Sequence, residues 1–260
     1  MRLILTFIGL LTCSFALSQK IALEKLWIGD ANNYLLVDSD AVRVECLYEY
    51  QGKKNVTKHA YRYFLIGDTL RIVEPEVHGS KNHDFIIKSL TKGELKLSAL
   101  TANSRILAFT EIPRKDLAFQ DQQGIYTDTI NFQKILFSST TCYGTCPAMS
   151  FQIDNTKLMK FSGDTFAVKR GHYTAVLPDQ LYNELLNILA ISELDKLENI
   201  GSFNVDVATY MLEVHYNNKV KLIKSSFFPY VTNKLLNFLV EAPKRVELKE
   251  AEKVEISLSK

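Results

Sequence analysis

Between Leu26 and Ile112 apolar residues recur at every second position, and turn residues interrupt them every few residues. A period of two sends alternate side chains to opposite faces of an extended chain, so this stretch is committed to half-buried strands. Val42, Val44, Cys46, Tyr48 and Tyr50 alternate with Arg43, Glu45, Leu47, Glu49 and Gln51. Tyr61, Tyr63 and Leu65 run into Gly67-Asp68, and Leu70 and Ile72 lead out, which reads as a tight hairpin. A second hairpin has Phe85-Ile86-Ile87 and Leu95, Leu97 flanking Thr91-Lys92-Gly93-Glu94, and Arg105 to Ile112 supplies one more strand. About eight short strands with no helix among them predict an all-β meander, closed or nearly closed as a small barrel.

The pattern breaks at Pro113-Arg114-Lys115-Asp116, and the polar stretch to Gly124 reads as a linker over residues 114–126. Beyond it, strands mix with helices. Phe132 to Phe137 is a strand, and Met149, Phe151 and Ile153 alternate with Ser150, Gln152 and Asp154 in another. Lys157 to Phe161 and Thr165 to Val168 continue the sheet around Gly163-Asp164. Leu181, Leu185, Leu186 and Leu189 then recur at helical spacing behind Pro178-Asp179, a start signal. A hairpin over Asn217-Asn218 joins Tyr210–His215 to Val220–Ile223, and a last helix opens near Pro229 to bury Val231, Leu235, Phe238 and Leu239. Residues 127–242 are therefore predicted to be a two-layer α+β domain, a mostly antiparallel sheet with two helices. The tail over residues 243–260 alternates Lys and Glu and reads as solvated, with an edge strand through Val254, Ile256 and Leu258 as the alternative.

Residues 1–18 read as a signal peptide: Arg2, an apolar run from Leu3 to Leu17, and Ala16-Leu17-Ser18 before the expected cut. The run is short for a membrane span, which needs ~20 residues. Lipidation at Cys13 is disfavoured, because Thr12 precedes it and Phe15, Ala16 and Leu17 follow it. The expectation is an exported protein, periplasmic or secreted, with Cys46, Cys142 and Cys146 left in an oxidising compartment, which suggests one disulfide and one buried thiol. Cys46, alternating with valines and tyrosines, is the expected buried thiol. The 31 Lys and Arg nearly balance 29 Asp and Glu, and nothing in that balance suggests an electrostatic footprint for nucleic acid.

Thr141-Cys142-Tyr143-Gly144-Thr145-Cys146-Pro147 is the one specific cluster. Two cysteines separated by three intervening residues can close a tight loop by a disulfide; Gly144 is expected to supply permissive backbone angles and Pro147 to fix the exit into the next strand. This stretch resembles the Cys-x-Gly-x-Cys-Pro signature of domain-of-unknown-function family 6438, whose members are typically exported bacterial proteins. Gly163 in a turn, Gly171 before the helix and Asp206 ahead of the last hairpin agree in order with that family, over about residues 130–242. The resemblance implies a fold class and an exported location, and no activity. In the other half, Trp27 ahead of a β-meander is similar to the small lipocalin-like domains of secreted bacterial proteins. That likeness implies an apolar cavity, whereas the short strands favour an interior filled by Tyr, Phe, Leu and Ile.

A redox reading of Cys142 and Cys146 lacks the helix N-terminus that lowers a reactive thiol's pKa, since Cys146-Pro147 runs into a strand. A copper reading would draw on Cys142, Cys146 and either His172 or His215, thiolate and imidazole suiting soft copper. His78 and His83, among Glu74, Glu76 and Asp84, would make a surface metal site, but Pro75, Gly79, Ser80, Lys81 and Asn82 make the segment a polar hairpin loop. No nucleophile elbow, zinc helix motif or phosphate-cradling loop is present in the sequence. The favoured reading is an exported cell-envelope protein without a cofactor, a non-catalytic binding or interaction module for another envelope protein. The alternatives are a redox or copper-handling protein and a carrier of a small apolar ligand.

Overall fold

The computed structural model describes residues 20–29, 33–50, 53–106, 114–125, 130–199 and 206–257. The expected leader and Cys13 lie outside the described residues. The chain divides into two compact units, the first built mostly from residues 1–48 and 56–125, the second mostly from residues 126–260.

The first unit is a closed eight-stranded antiparallel barrel in simple meander order. Its strands are β1 (Leu26–Gly29), β2 (Asn33–Val37), β3 (Val42–Tyr50), β4 (Lys53–Ile66), β5 (Thr69–Glu76), β6 (Gly79–Leu90), β7 (Glu94–Ala99) and β8 (Asp116–Asp121). The alternation read from sequence is largely the alternation of burial, with Glu45 of β3 buried between Val44 and Cys46 as an exception. Trp27, Leu35, Val44, Leu70, Ile72, Phe85, Leu95, Leu97 and Phe119 pack into one core. Trp27 seals one end: its Nε1 donates to the Leu23 carbonyl at 2.8 Å, and Lys25 Nζ sits 4.8 Å above its ring. The same ammonium donates to the Lys92 carbonyl at 2.8 Å and pairs with Asp121 at 3.1 Å, tying that end of the barrel together.

Three expectations for this unit are corrected. Residues 116–121 are not linker: Leu117, Phe119 and Asp121 are buried and alternate with exposed neighbours, and β8 pairs with both β7 and β1. A closing strand receives hydrogen bonds on both sides, so two apolar residues suffice where the sequence pattern looked too polar. The strand expected from Arg105 does not start there, because Ala102–Ile106 is a short helix, α1. Thr101 Oγ1 accepts the Ser104 N–H at 3.2 Å, a local cap that competes with extension. Residues 107–113 lie outside the described residues. The polar segment from Glu74 to Asp84 is no open loop: pairing of β5 with β6 continues to Glu76 opposite Gly79, leaving Val77-His78 as the turn.

The second unit is a seven-stranded antiparallel sheet, mostly β with few helices. Its elements are β9 (Phe132–Ser139), β10 (Met149–Asp154), β11 (Leu158–Gly163), β12 (Gly171–Val176), helix α2 (Asp179–Ala190), β13 (Tyr210–Tyr216), β14 (Lys219–Ser225), helix α3 (Asn233–Glu241) and β15 (Lys249–Glu250). The order across the sheet is β14-β13-β9-β10-β11-β12-β15. One face carries Ile135, Phe137, Phe151, Ile153, Met159, Phe161, Leu212, Val214 and Ile223, all buried. The helices bury Leu181, Leu185 and Leu189 from α2 and Leu235, Phe238 and Leu239 from α3, the positions that helical spacing picked out. Tyr182 of α2 meets Phe132 of β9 edge to face, 6.1 Å between centroids.

Two expectations change here. Thr165–Val168 is not a strand; the chain turns through residues 164–170 and re-enters the sheet at Gly171. The tail does not leave at Pro243 either. Pro243 and Leu248 are buried, and Lys249 and Glu250 pair with Thr174 and Tyr173 of β12. Val254 and Ile256 form no strand, and Leu258 lies outside the described residues.

Candidate functional site

The register of the second sheet lines up six strand ends. Ser225 pairs with Tyr210, Tyr210 with Ser139, Ser139 with Met149, Met149 with Gly163, and Gly163 with Gly171. Three loops leave this row: residues 140–148, residues 164–170, and residues 206–209, which lead into β13. Every motif residue named from sequence lies in the row or its loops.

The first loop carries a disulfide between Cys142 and Cys146, their Cα atoms 5.5 Å apart. The Gly144 N–H donates to the Cys142 carbonyl at 2.8 Å inside the ring. The Tyr143 N–H donates to the Asp206 carbonyl at 3.2 Å, so Asp206 serves through its backbone. Thr140 N–H reaches the Thr209 carbonyl and Thr209 N–H returns to Thr140 Oγ1, both at 3.0 Å. At the loop's far side Ser139 Oγ donates to the Pro147 carbonyl. Ala148 N–H donates to the Thr165 carbonyl at 2.8 Å, and Asp164 N–H to the Ala148 carbonyl at 2.9 Å, which joins the first loop to the second.

The two glycines of the second loop have separate reasons to be glycine. A Cβ on Gly163 would sit 2.0 Å from the Lys169 carbonyl oxygen, so the loop folds back over a position that has no side chain. Gly171 has φ +108°, a region L side chains rarely adopt. Gly144 differs from expectation: its φ is not positive, and a Cβ there would meet only Cys142 Sγ at 3.7 Å, an ordinary contact. Lys169 Nζ donates to the Leu248 carbonyl at 3.2 Å and lies 5.2 Å over the Tyr173 ring, while Tyr173 OH donates to the Arg170 carbonyl at 2.9 Å.

Upon this frame the loops expose apolar groups. Tyr143 is 94% exposed, Phe166 54% and Val168 44%. Phe166 is held at φ +58°, a left-handed conformation uncommon for an aromatic residue. Sequence reasoning found Tyr143 through the cysteines. It missed Phe166 and Val168, because their spacing mimics a strand and a positive φ leaves no mark in composition.

Residues 133–243 match the family model of a domain of unknown function, DUF6438. The matched range holds both cysteines, Gly144, Pro147, Gly163, Gly171 and Asp206. No curated protein and no solved structure matches the chain.

The second unit does not gather the copper set considered from sequence among its described residues. β12, bearing His172, and β13, bearing His215, are separated by three strands, or ~19 Å at the usual strand spacing, so only one of the two histidines could join the cysteines, as the copper reading supposes. His215 is also five residues from the motif row along β13, where it pairs with the buried Glu213 at 2.5 Å. His172 lies next to Gly171, with a buried Nδ1 that has no hydrogen-bond partner among the described residues. Those residues contain no cluster of three or more His, Cys, Asp or Glu able to hold a metal. The chain after Cys146 enters β10, so no helix dipole acts on either cysteine.

Proposed function

We propose that this is an exported protein of the cell envelope whose DUF6438 domain acts as a non-catalytic interaction module, docking another envelope protein on its disulfide-pinned loops. The carrying observation is Tyr143, almost wholly exposed at the tip of a loop closed by Cys142–Cys146, with Phe166 and Val168 exposed on the loop bonded to it. Exposed aromatic groups held in place by covalent and backbone ties bind with little ordering cost, the property of a contact anchor. The leader-like first 18 residues and a disulfide that suits an oxidising compartment support export. Among the described residues no helix is long and apolar enough to cross a membrane.

The test is site-specific photocrosslinking in the producing cell, with a photoreactive residue at position 143 and, as control, at Asn218 in the turn at the opposite end of the sheet. A discrete protein adduct at 143 that is absent at 218 supports the reading. Equal adducts at both positions, or none at 143, overturn it. Intact mass of the recovered protein reads the leader, since a mass that retains residues 1–18 removes the export argument.

The closed barrel favours a second reading, a carrier of a small apolar ligand, but Trp27, Phe85 and Phe119 already fill much of its core.

A further inference from the structure

On the face of the second sheet opposite Phe151, Met159 and Phe161, the register sets two polar rows across neighbouring strands. Ser150 of β10, Ser162 of β11 and His172 of β12 stand side by side in the first. Gln152, Lys160, Thr174 and, on β15, Lys249 stand side by side in the second. Lys249 is exposed and the other six are half-buried, each keeping access to solvent. Among the described residues, none of these seven side chains has a hydrogen bond or ion pair within the chain. Neither row contains an acid. The next carboxylate along β10, Asp154, is engaged in its own turn, accepting the Thr156 N–H at 2.9 Å and the Leu158 N–H at 3.2 Å. Past Gln152 the second row ends against Leu136, which is buried.

The order of groups in these rows narrows the ligand. Across the strands the second row alternates cation, hydroxyl, cation, in Lys160, Thr174 and Lys249. The first row sets Ser162 beyond Lys160 and His172 beyond Thr174, hydroxyl and imidazole in reversed order. Neighbouring strands stand about 4.8 Å apart, so the two lysines are about 10 Å apart along the backbone frame, and the rows are about 7 Å from each other. A ribbon of β-1,4-linked carboxylated sugars has the complementary pattern. Each sugar is turned over relative to the last, so carboxylate alternates with ring hydroxyls along one edge, and the order is reversed along the other. Its advance per sugar is close to the spacing of strands. An acidic peptide would leave the hydroxyl row unmatched, and a lone phosphate would reach only one lysine.

We propose that this face binds a short stretch of acidic polysaccharide, a β-1,4-linked chain of uronic acid residues lying across β11, β12 and β15. Lys160 and Lys249 take the carboxylates of the first and third sugars, and Thr174 takes a hydroxyl of the second. Ser162 takes a hydroxyl of the first sugar, and His172 donates to the carboxylate of the second. The Nδ1 of His172 is buried with no hydrogen-bond partner among the described residues. A half-turn of the ring that brings this nitrogen out to the ligand therefore also relieves an unpaired polar atom. Ser150 and Gln152 extend the floor by one more sugar. The site is separate from Tyr143 and its loops, so it stands whether or not a protein docks there.

Calorimetric titration of the protein with β-1,4-linked tetramannuronate tests this. β-1,4-Linked mannotetraose, with the same backbone and no carboxylates, is the control. Saturable one-to-one uptake of the acidic sugar is expected, weakening with salt, and the neutral one should bind at least roughly tenfold more weakly. Lys160→Gln combined with Lys249→Gln should weaken uptake roughly tenfold or more, whereas Lys234→Gln on α3 should leave it unchanged. Absence of saturable uptake overturns the site, as do equal affinities for the two sugars or equal losses in the two variants. If the double variant fails to fold, amide shifts of the native chain decide. Shifts on adding tetramannuronate that are confined to β10, β11, β12 and β15 support the site; shifts centred elsewhere overturn it.

Discussion

Single residues separate what the motif needs from what it merely contains. Gly163 lies 2.0 Å, by its absent Cβ, from a backbone oxygen that has no easy way to move. Gly163→Ala is expected to destabilise the second unit by about 1–3 kcal/mol, as other steric insertions into a packed site do, whereas Gly144→Ala should stay within about 0.5 kcal/mol. Urea unfolding of the two variants checks both, and equal losses would reverse the assignment. The sequence made both glycines visible as turn residues but did not distinguish them, because the clash partner of Gly163 lies six residues on along a loop that looked like a strand. Asp84 offers a residue-scale pH effect. Hydrogen bonding to Arg71 holds its carboxyl below the usual range. A lowered folded-state value means that the pair contributes fully above the ordinary carboxylate pKa, about 4, and loses its contribution as pH falls through the lowered one. Asp84→Asn should accordingly flatten part of the loss of stability below about pH 4 seen in acid titrations. An acid limb that matches the native protein's would refute this.

Among elements, the long alternating hairpins were the most legible and the barrel's closing piece the least. Strands β3 to β7 announce themselves because Val, Leu, Ile, Phe or Tyr recurs at alternate positions on either side of recognisable turn residues. β8 has only Leu117 and Phe119 facing inward, and its charged ends made it resemble a connection. Its position between β7 and β1 gives those two side chains unusual leverage. Phe119→Ala is expected to cost about 3–5 kcal/mol, the range for an aromatic removed from a packed core, measured as a shift in the barrel's unfolding transition. A cost under about 1 kcal/mol would mean that β8 is dispensable to closure. α1 was missed for a different reason. Its start rests on the Thr101 hydroxyl, and a five-residue helix has no room to display a period of its own.

Across the whole molecule, the change of pattern near residue 126 was readable because a meander buries alternate residues and a helix-covered sheet buries two kinds of stripe. The disulfide belongs to this scale only weakly. It encloses a five-residue loop, so the chain-entropy model gives it about 2 kcal/mol. Replacing Cys142 and Cys146 with Ser should lower the stability of the second unit by that amount and leave its strand exchange pattern in place. Collapse of the sheet would make the bond a fold determinant.

A barrel that closes on itself offers no unpaired strand, so the protein's susceptibility to sticking to itself rests on the open sheet. There β14 is the outermost long strand, and it carries Lys219, Lys221 and Lys224. Lys219 and Lys221 reach back to Asp195 at 3.2 Å, and Asn199 Oδ1 accepts the Lys224 N–H at 2.8 Å, occupying a donor that a second chain would otherwise use. Charge and a borrowed side chain thus blunt a margin that would template further strands. With Lys219, Lys221 and Lys224 exchanged for Thr, the protein should gain mass with rising concentration in light scattering. A monomer unchanged over that range would place the protection elsewhere; growth that reverses on dilution would mean that three ammonium groups along a single ribbon of backbone set how far the protein can be concentrated.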